Sequence, residues 1–381
     1  MDLATWIQKE AAGAEAQMKA DLRLLVSIST PSGDVAGGSL ITRAVCKTAG
    51  RVSHIEYLPS STEGFPDDLE ITQRGTGEKK LLLLGHLDTV FPHERHWQLE
   101  ERKDRWCGPG VIDMKGGVAI ALAVLRALKH MKAAYSELVL LLVADEEWRA
   151  HPLRHTERYR DFDACLCFEA GRTMEDGTET VVTRRKAVAT IRIARSGVSG
   201  HAADAFEQNG TNAIFDLVSM VLNLNEKNKQ RRGMLSVVPT ILRVGEAVNV
   251  VPGEGELFCD VRAEDLQTIE DFFTEVVEPG AKGPTFACSL YRRWRGMDTW
   301  EASVATLDKA GEILGRPIAT MAVNGASDAS HIATVVPLTI DGLGPTGGDE
   351  HGQDEWLEPE SLVRRLRVAL ACVATILPLD A

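Results

Sequence analysis

LLLLGHLDTV, residues 81–90, and WCGPGVIDMKGG, residues 106–117, decide how the rest of this chain is read. Four leucines make a short apolar run that stops at Gly85. A run of this kind, bounded by glycine and polar residues, suits a strand buried on both faces. His86 and Asp88 stand at its C-terminal end. Side chains two apart on an extended chain point to the same face. Asp88 can therefore accept a hydrogen bond from the ring nitrogen of His86 that is not otherwise engaged, the arrangement that orients a metal-ligating histidine. Taken alone, His-x-Asp reads equally well as the polar end of a strand with a satisfied histidine.

The chain has 381 residues, 44% of them hydrophobic and 25% charged, enough for a sizeable core and for two domains. Its net charge of −13 argues against nucleic acid and anionic membrane as partners. The seven cysteines form no C-x-x-C pair and are odd in number, so reduced thiols are expected rather than a disulfide framework. The start, MDLATWIQKEAAG, has neither a basic segment nor an apolar one of the kind a secretion signal needs. No run reaches the length of a membrane span. The expected location is the cytoplasm.

In chain order, two helices fill residues 1 to about 50, broken by the Pro and Gly of SISTPSGDVAGG. Strands follow at 52–58, 68–73 and through the leucines. VAIALAVLRALKHM reads as a helix, and SELVLLLVADEEW and CLCFEAG as further strands with charged ends. Alternating strands and helices indicate a parallel or mixed α/β sheet, whose ligands bind at the C-terminal ends of strands. From residue 184 the order becomes strand, helix, strand, strand, helix, strand, the ferredoxin-like signature. The second of these elements has Thr211 or Asn212 as its cap. The fold expected is α/β, with a catalytic domain over residues 1–183 and 298–381 and an inserted unit over 184–297.

His86, Asp113, Glu147, Glu169 and His351 are metal-type ligands at strand ends or in loops. Two histidines and three carboxylates, without cysteine, suit a pair of divalent ions, zinc first. Asp113 sits among glycines that let the backbone approach closely, which favours it as the carboxylate shared by both ions. Glu146 and Glu147 are adjacent, so their side chains diverge. One can ligate while the other faces a water as general base. Asp145, beside them, reads as a solvated strand-end charge or a helix cap. His93 and His96 in FPHERHWQ read as loop residues, because the ligand set is already full.

GHLDTV, GPGVIDMKGG, ADEEW, CFEAG, GVSGHAADAFEQNGTNAI, NVVPGEGELFCDVR, GASDA and the late histidine of DEHGQ together resemble the co-catalytic di-zinc metallopeptidase and deacylase family. That family includes glutamate carboxypeptidase (carboxypeptidase G), acetylornithine deacetylase, succinyl-diaminopimelate desuccinylase and aminoacylase. The resemblance runs from about residue 20 to the C-terminus. It implies a zinc-dependent exopeptidase-like α/β catalytic domain carrying a ferredoxin-like lid that dimerises. It implies two Zn²⁺ per subunit, with Co²⁺ or Mn²⁺ as substitutes, held by His86, Asp113, Glu147, Glu169 and His351. Asp113 would bridge, Asp88 would orient His86, and Glu146 would be the acid/base. His201 would reach the partner subunit's site, and Asn249 and Arg262 would contact substrate. Arg295, with Arg293 as competitor, would hold the substrate's terminal carboxylate, for which a planar guanidinium is apt. The family's glycine-rich GGGTD-type turn reads NGASD here, with Asn324 and Ala326 in place of glycines. The expected activity is that of a metallocarboxypeptidase cleaving a peptide or N-acyl bond before a C-terminal amino acid. The alternative is an N-acyl-amino-acid deacylase, and a metal-binding protein without catalysis is a third reading, disfavoured by Glu146.

Overall fold

The computed structural model describes residues 2–204, 212–280 and 286–379. At its centre lies a six-stranded sheet in the order His54–Leu58, Asp68–Arg74, Glu137–Val143, Lys80–His86, Ala164–Cys167 and Thr339–Ile340. The first three strands are mutually antiparallel. From Glu137–Val143 onward the neighbours are parallel. The leucine run explains why this sheet has helices on both sides. Leu81 and Leu83 belong to one apolar core, and Leu82 and Leu84 to another on the opposite face. All four are fully buried. Truncating such a leucine to alanine typically costs about 2–5 kcal/mol.

The first core is closed by the helices Leu3–Val26, Gly116–Ala127 and Ser361–Ile376. Leu3–Val26 starts where the Asp2 carboxylate accepts from the Thr5 amide, and buries Trp6, Ile7, Met18, Leu22 and Leu25 along one stripe. The second helix, Val35–Ala49, begins where Asp34 accepts from the amides of Ala36 and Gly37. Gly116–Ala127 is apolar almost all round, as a helix sandwiched between sheet and outer helices must be.

Residues 187–294 build a separate four-stranded antiparallel sheet, in the order Leu235–Val244, Gly255–Ala263, Ala187–Arg195 and Phe286–Trp294. The helices Ala213–Gln230 and Leu266–Phe272 pack on it around a core of their own, including Ile191, Leu217, Leu257, Val261 and Phe272. The expected order of elements is present. Asn212 caps the first of these helices by accepting from the Ile214 amide. Thr211, the other candidate cap, and the rest of 205–211 lie outside the described residues. Leu235–Val244 is an edge strand, and Pro239 within it is tolerated because an edge leaves one side of the ladder unpaired. Among the described residues, no helix is long and apolar enough to cross a membrane.

Candidate metal centre

Three parallel strands of the central sheet deliver acidic or imidazole groups at their C-terminal ends. His86 is the last residue of its strand. Asp145, Glu146 and Glu147 follow Val143, and Glu169 follows Cys167 by two positions. Two loops close over these ends. The turn before helix Gly116–Ala127 carries Asp113, followed by a cis Asp113–Met114 peptide. Gly110 in that turn has φ +71°, a conformation open to glycine at little cost. Gly117 packs so closely on the Phe168 carbonyl that a Cβ there would lie 1.9 Å from its oxygen. The second loop holds His351, at φ 66°. It sits between the short strands Gly347–Gly348 and Trp356–Leu357. Trp356–Leu357 also pairs with Trp106–Cys107, which brings the two loops together.

Asp113 stands between two histidines. Its Oδ1 lies 2.9 Å from His86 Nε2 and its Oδ2 lies 3.0 Å from His351 Nε2. Glu169 Oε1 is 3.9 Å from His86 Nε2, and Glu147 Oε2 is 3.1 Å from His351 Nε2. The donors thus form two trios that share Asp113: His86, Asp113 and Glu169, and Asp113, Glu147 and His351. Within each trio the donor atoms lie within 4.8 Å of one another. Glu146 belongs to neither.

Asp88 acts through two sets of contacts. Its backbone carbonyl lies 3.1 Å from His86 Nδ1, and its carboxylate Oδ1 lies 3.4 Å from that nitrogen. The backbone carbonyl is therefore the nearer partner, where the sequence reading expected the carboxylate. The carboxylate accepts from Ser32 Oγ at 2.6 Å and from the amides of Glu146 and Glu147 at 3.1 and 3.2 Å. One buried aspartate thereby positions both a histidine and the two-glutamate turn.

Without bound cations, the electrostatics are those of too many acids in too little water. Burial pushes the Glu169 carboxyl up to about 8, with Asp113 adding to the effect. Burial also raises Glu146 well above the usual carboxylate range, and raises Glu147. Asp113 is lowered, because its hydrogen bonds to His351 and His86 outweigh the burial that would raise it. The same pairings carry His351 up to about 11, chiefly through Asp113 and Glu147. Glu147 Oε1 is buried without any hydrogen-bond partner.

A cleft of about 180 Å³ opens on these groups, lined by Asp113, Glu146, Glu147, Glu169 and His351 on one side. Arg262, Arg292, Asp260, Val188 and Trp294 line the other, with Gly325 and Ala326 of the NGASD turn. Arg262 donates to the Asn324 carbonyl at 2.6 Å and to Asp260 at 2.8 Å. The arginine of the YRRWRG segment in this cleft is Arg292, where the sequence reading chose Arg295 or Arg293. Arg293 is turned to the Leu290 carbonyl and Glu270, and Arg295 is exposed outside the cleft lining. The cause is a β-bulge. Val188 and Thr190 face Trp294 and Tyr291, so one strand advances three residues while its neighbour advances two. Arg292 takes φ 52° there, which redirects its side chain. His201 and Asn249 line no part of the cleft. They sit together and exposed on a small ribbon, where Gly200–His201 pairs with Val250–Val251 and the Ala202 amide donates to the Asn249 carbonyl.

Asp145 is fully buried, which corrects its reading as a solvated charge. It accepts from Arg149 Nη1 at 2.9 Å and from the Thr62 amide at 2.8 Å. Arg149, also fully buried, reaches across to Asp328. Trp294 Nε1 donates to the Arg149 carbonyl at 3.2 Å. Glu355 was not singled out either. Its carboxylate accepts from the amides of Gly110, Ile112 and Asp113 and so holds the Asp113 loop in place. Nothing in local sequence marks these pairings, because the partners are up to 245 residues apart. His93 and His96 stay outside both trios, as expected. The cysteines are all free thiols.

The model of peptidase family M20/M25/M40 matches residues 82–375. Carboxypeptidase G2 of Pseudomonas sp. (strain RS-16) is 28% identical over 375 residues, covering 91% of this chain and 86% of that protein. Succinyl-diaminopimelate desuccinylase of Stenotrophomonas maltophilia (strain R551-3) is 28% identical over 367 residues, covering 89% and 93%. An M20-family metallo-carboxypeptidase from Sulfolobus solfataricus superimposes with a TM-score of 0.75 at 12% identity, covering 94% of this chain and 99% of that one.

Proposed function

The chain belongs to peptidase family M20/M25/M40, and from that premise we propose that it is a di-zinc hydrolase of amide bonds adjoining a C-terminal amino acid. The observation that carries this reading is the pair of ligand trios sharing Asp113, with Glu146 beside them and unligated. Imidazole and carboxylate donors without sulfur suit zinc. The surplus of buried carboxylates, and the unpartnered Glu147 Oε1, fit a site whose charge two dications would balance. His86, Asp113, Glu147, Glu169 and His351 would hold the ions, with Asp113 offering one oxygen to each.

Zinc supplies, when bound, a Lewis acid for the scissile carbonyl and a water acidified to a pKa of about 7. Glu146 takes a proton from the attacking water. As the carbon–nitrogen bond breaks, it returns that proton to the departing amine. Asp88 fixes the backbone of Glu146, so the carboxyl stays at the cleft floor. Arg292 and Arg262, on the opposite wall, anchor the carboxylate of the C-terminal residue, as paired guanidinium groups do well. Carboxypeptidase action is the first reading. The runner-up is N-acyl-amino-acid deacylation, which uses the same groups and which the desuccinylase likeness favours. A panel of dipeptides and N-acyl amino acids, hydrolysed by zinc-loaded protein, tests it. Inactivity on every member would return the chain to a non-catalytic metal protein.

The same proposal takes 1–183 with 298–381 as the catalytic part and 184–297 as a lid through which two chains pair. The support is an outward apolar face on helix Ala213–Gln230, with Phe215 71% and Leu222 61% exposed. The neighbouring edge strand exposes Val238, Ile241 and Leu242. Covering both would close an open edge. His201 and Asn249, idle in their own chain, would then serve the partner's cleft.

A further inference from the structure

Beside the metal centre, on the side away from Arg262 and Arg292, lies a second hollow of about 320 Å³. His351 lines both spaces, so the two are continuous at that imidazole. The walls are Val90, Phe91, Pro92 and Trp97, with Arg95 and Gln353 completing the lining. Phe91 is buried, and Trp97 meets it edge to face with ring centroids 5.3 Å apart. Val90 is 41% exposed, an apolar side chain held open to this space. His93 of the same loop is tied to Ser29 Oγ at 2.8 Å and to Asp34 at 3.2 Å, which anchors the wall to the segment before helix Val35–Ala49.

An apolar, partly pre-formed hollow with a few polar groups is the usual form of a small-molecule subsite. A charged acyl group would have to lose water against Val90, Phe91, Pro92 and Trp97, which is costly without a buried partner. A ring offers edge and face to Phe91 and Trp97 alike. With the carboxylate end of the substrate on the arginine wall, the group on the other side of the scissile amide must leave past His351.

We propose that this hollow is the subsite for the acyl side of the scissile bond and that it takes a bulky, uncharged aromatic group in preference to acetyl or succinyl. The inference rests on the orientation given under Proposed function. The test measures kcat/KM for the N-benzoyl, N-acetyl and N-succinyl derivatives of one C-terminal amino acid with zinc-loaded protein. Benzoyl is expected to exceed acetyl by roughly 10–100-fold, the preference that burial of one ring supports. Trp97→Ala and, as a variant that leaves the aromatic pair intact, Val90→Asp are each expected to lower the benzoyl-to-acetyl ratio at least tenfold, and Trp97→Phe to restore part of it. An unchanged ratio in both variants overturns the assignment. So does a succinyl preference that Arg95→Ala removes. If none of the three compounds is hydrolysed, the hydrolase reading fails by itself. Titration of zinc-loaded protein with benzoate and with acetate then decides the subsite, and benzoate binding no tighter than acetate, or unaffected by Trp97→Ala, overturns it.

Discussion

The metal centre and the exposed ribbon of the inserted unit treat their polar residues in opposite ways. At the centre, His86, Asp88, Asp145 and Glu355 are almost wholly buried, and each has partners that dictate its orientation. On the ribbon, His201 and Asn249 are exposed, and their ordering contacts are local, between residues on the two short paired strands. The first arrangement is complete within one chain. The second reaches nothing reactive by itself. Buried polar groups must be satisfied or they cost stability, so the fold of one chain suffices to place them. Exposed groups carry no such constraint, and only a partner or a substrate can give them a role.

The contrast can be broken most severely at Asp113. Asp113→Ala removes the carboxylate common to both trios, and the expected outcome is loss of binding for both zinc ions together with activity. Metal analysis after zinc saturation checks it. Retention of one tightly held ion per chain would mean that the trios are independent. Glu146→Gln comes next, with activity falling about 10²–10⁴-fold and zinc content unchanged. Loss of zinc in that variant would show that Glu146 and Glu147 have exchanged roles.

Arg292→Ala sharpens the comparison from the cleft's far wall. A hydrogen bond to a charged group contributes about 1.5–3 kcal/mol, so kcat/KM should drop roughly 10–100-fold through KM. Arg295→Ala should do less. Steady-state kinetics on the best substrate of the panel separates them.

The ribbon is tested by complementation. Chains with His201→Ala and chains with Glu146→Gln are each expected to be feeble. Mixed at equal amounts and allowed to exchange, they should recover about a quarter of wild-type activity. Half of the dimers would be mixed, with one working site in two. No recovery, with dimers demonstrated, would remove His201 from the partner's site.

The smallest effect is expected beneath the cleft, at His331. Burial, with Arg149 and Arg295 nearby, lowers its pKa from 6.5 to about 3. The folded state therefore holds this ring neutral while the unfolded state takes up a proton below about pH 6.5. Stability from this group is present above pH 6.5 and is lost as pH falls toward 3, by about 2 kcal/mol between pH 7 and 5. Urea unfolding at both pH values measures it, and His331→Gln should flatten the difference.

The leucine run, the caps at Asp34 and Asn212 and the strand–helix alternation were legible because they depend on neighbours in sequence. The five ligand candidates were legible for a related reason. Each stands where an apolar strand ends or a glycine-rich or irregular loop turns, and such ends collect at one edge of a parallel sheet. Arg292 was not legible, because period-two alternation cannot foresee a bulge that adds a residue to one strand. Asp145 was misread because a strand-end acid looks solvated until its partner is known. That partner, Arg149, is itself held by Asp328, 179 residues further on.

By itself, the amino-acid sequence determined the α/β architecture, the inserted unit and the set of residues able to ligate metal, since periodicity, turn residues and donor chemistry are local properties. Tertiary structure alone decided which oxygen of Asp113 faces which histidine and which arginine enters the cleft. It alone decided how Glu355 and Asp88 hold the loops that carry the chemistry. Those choices are made by long-range hydrogen bonds and ion pairs between buried groups, whose geometry exists only once the layers have packed.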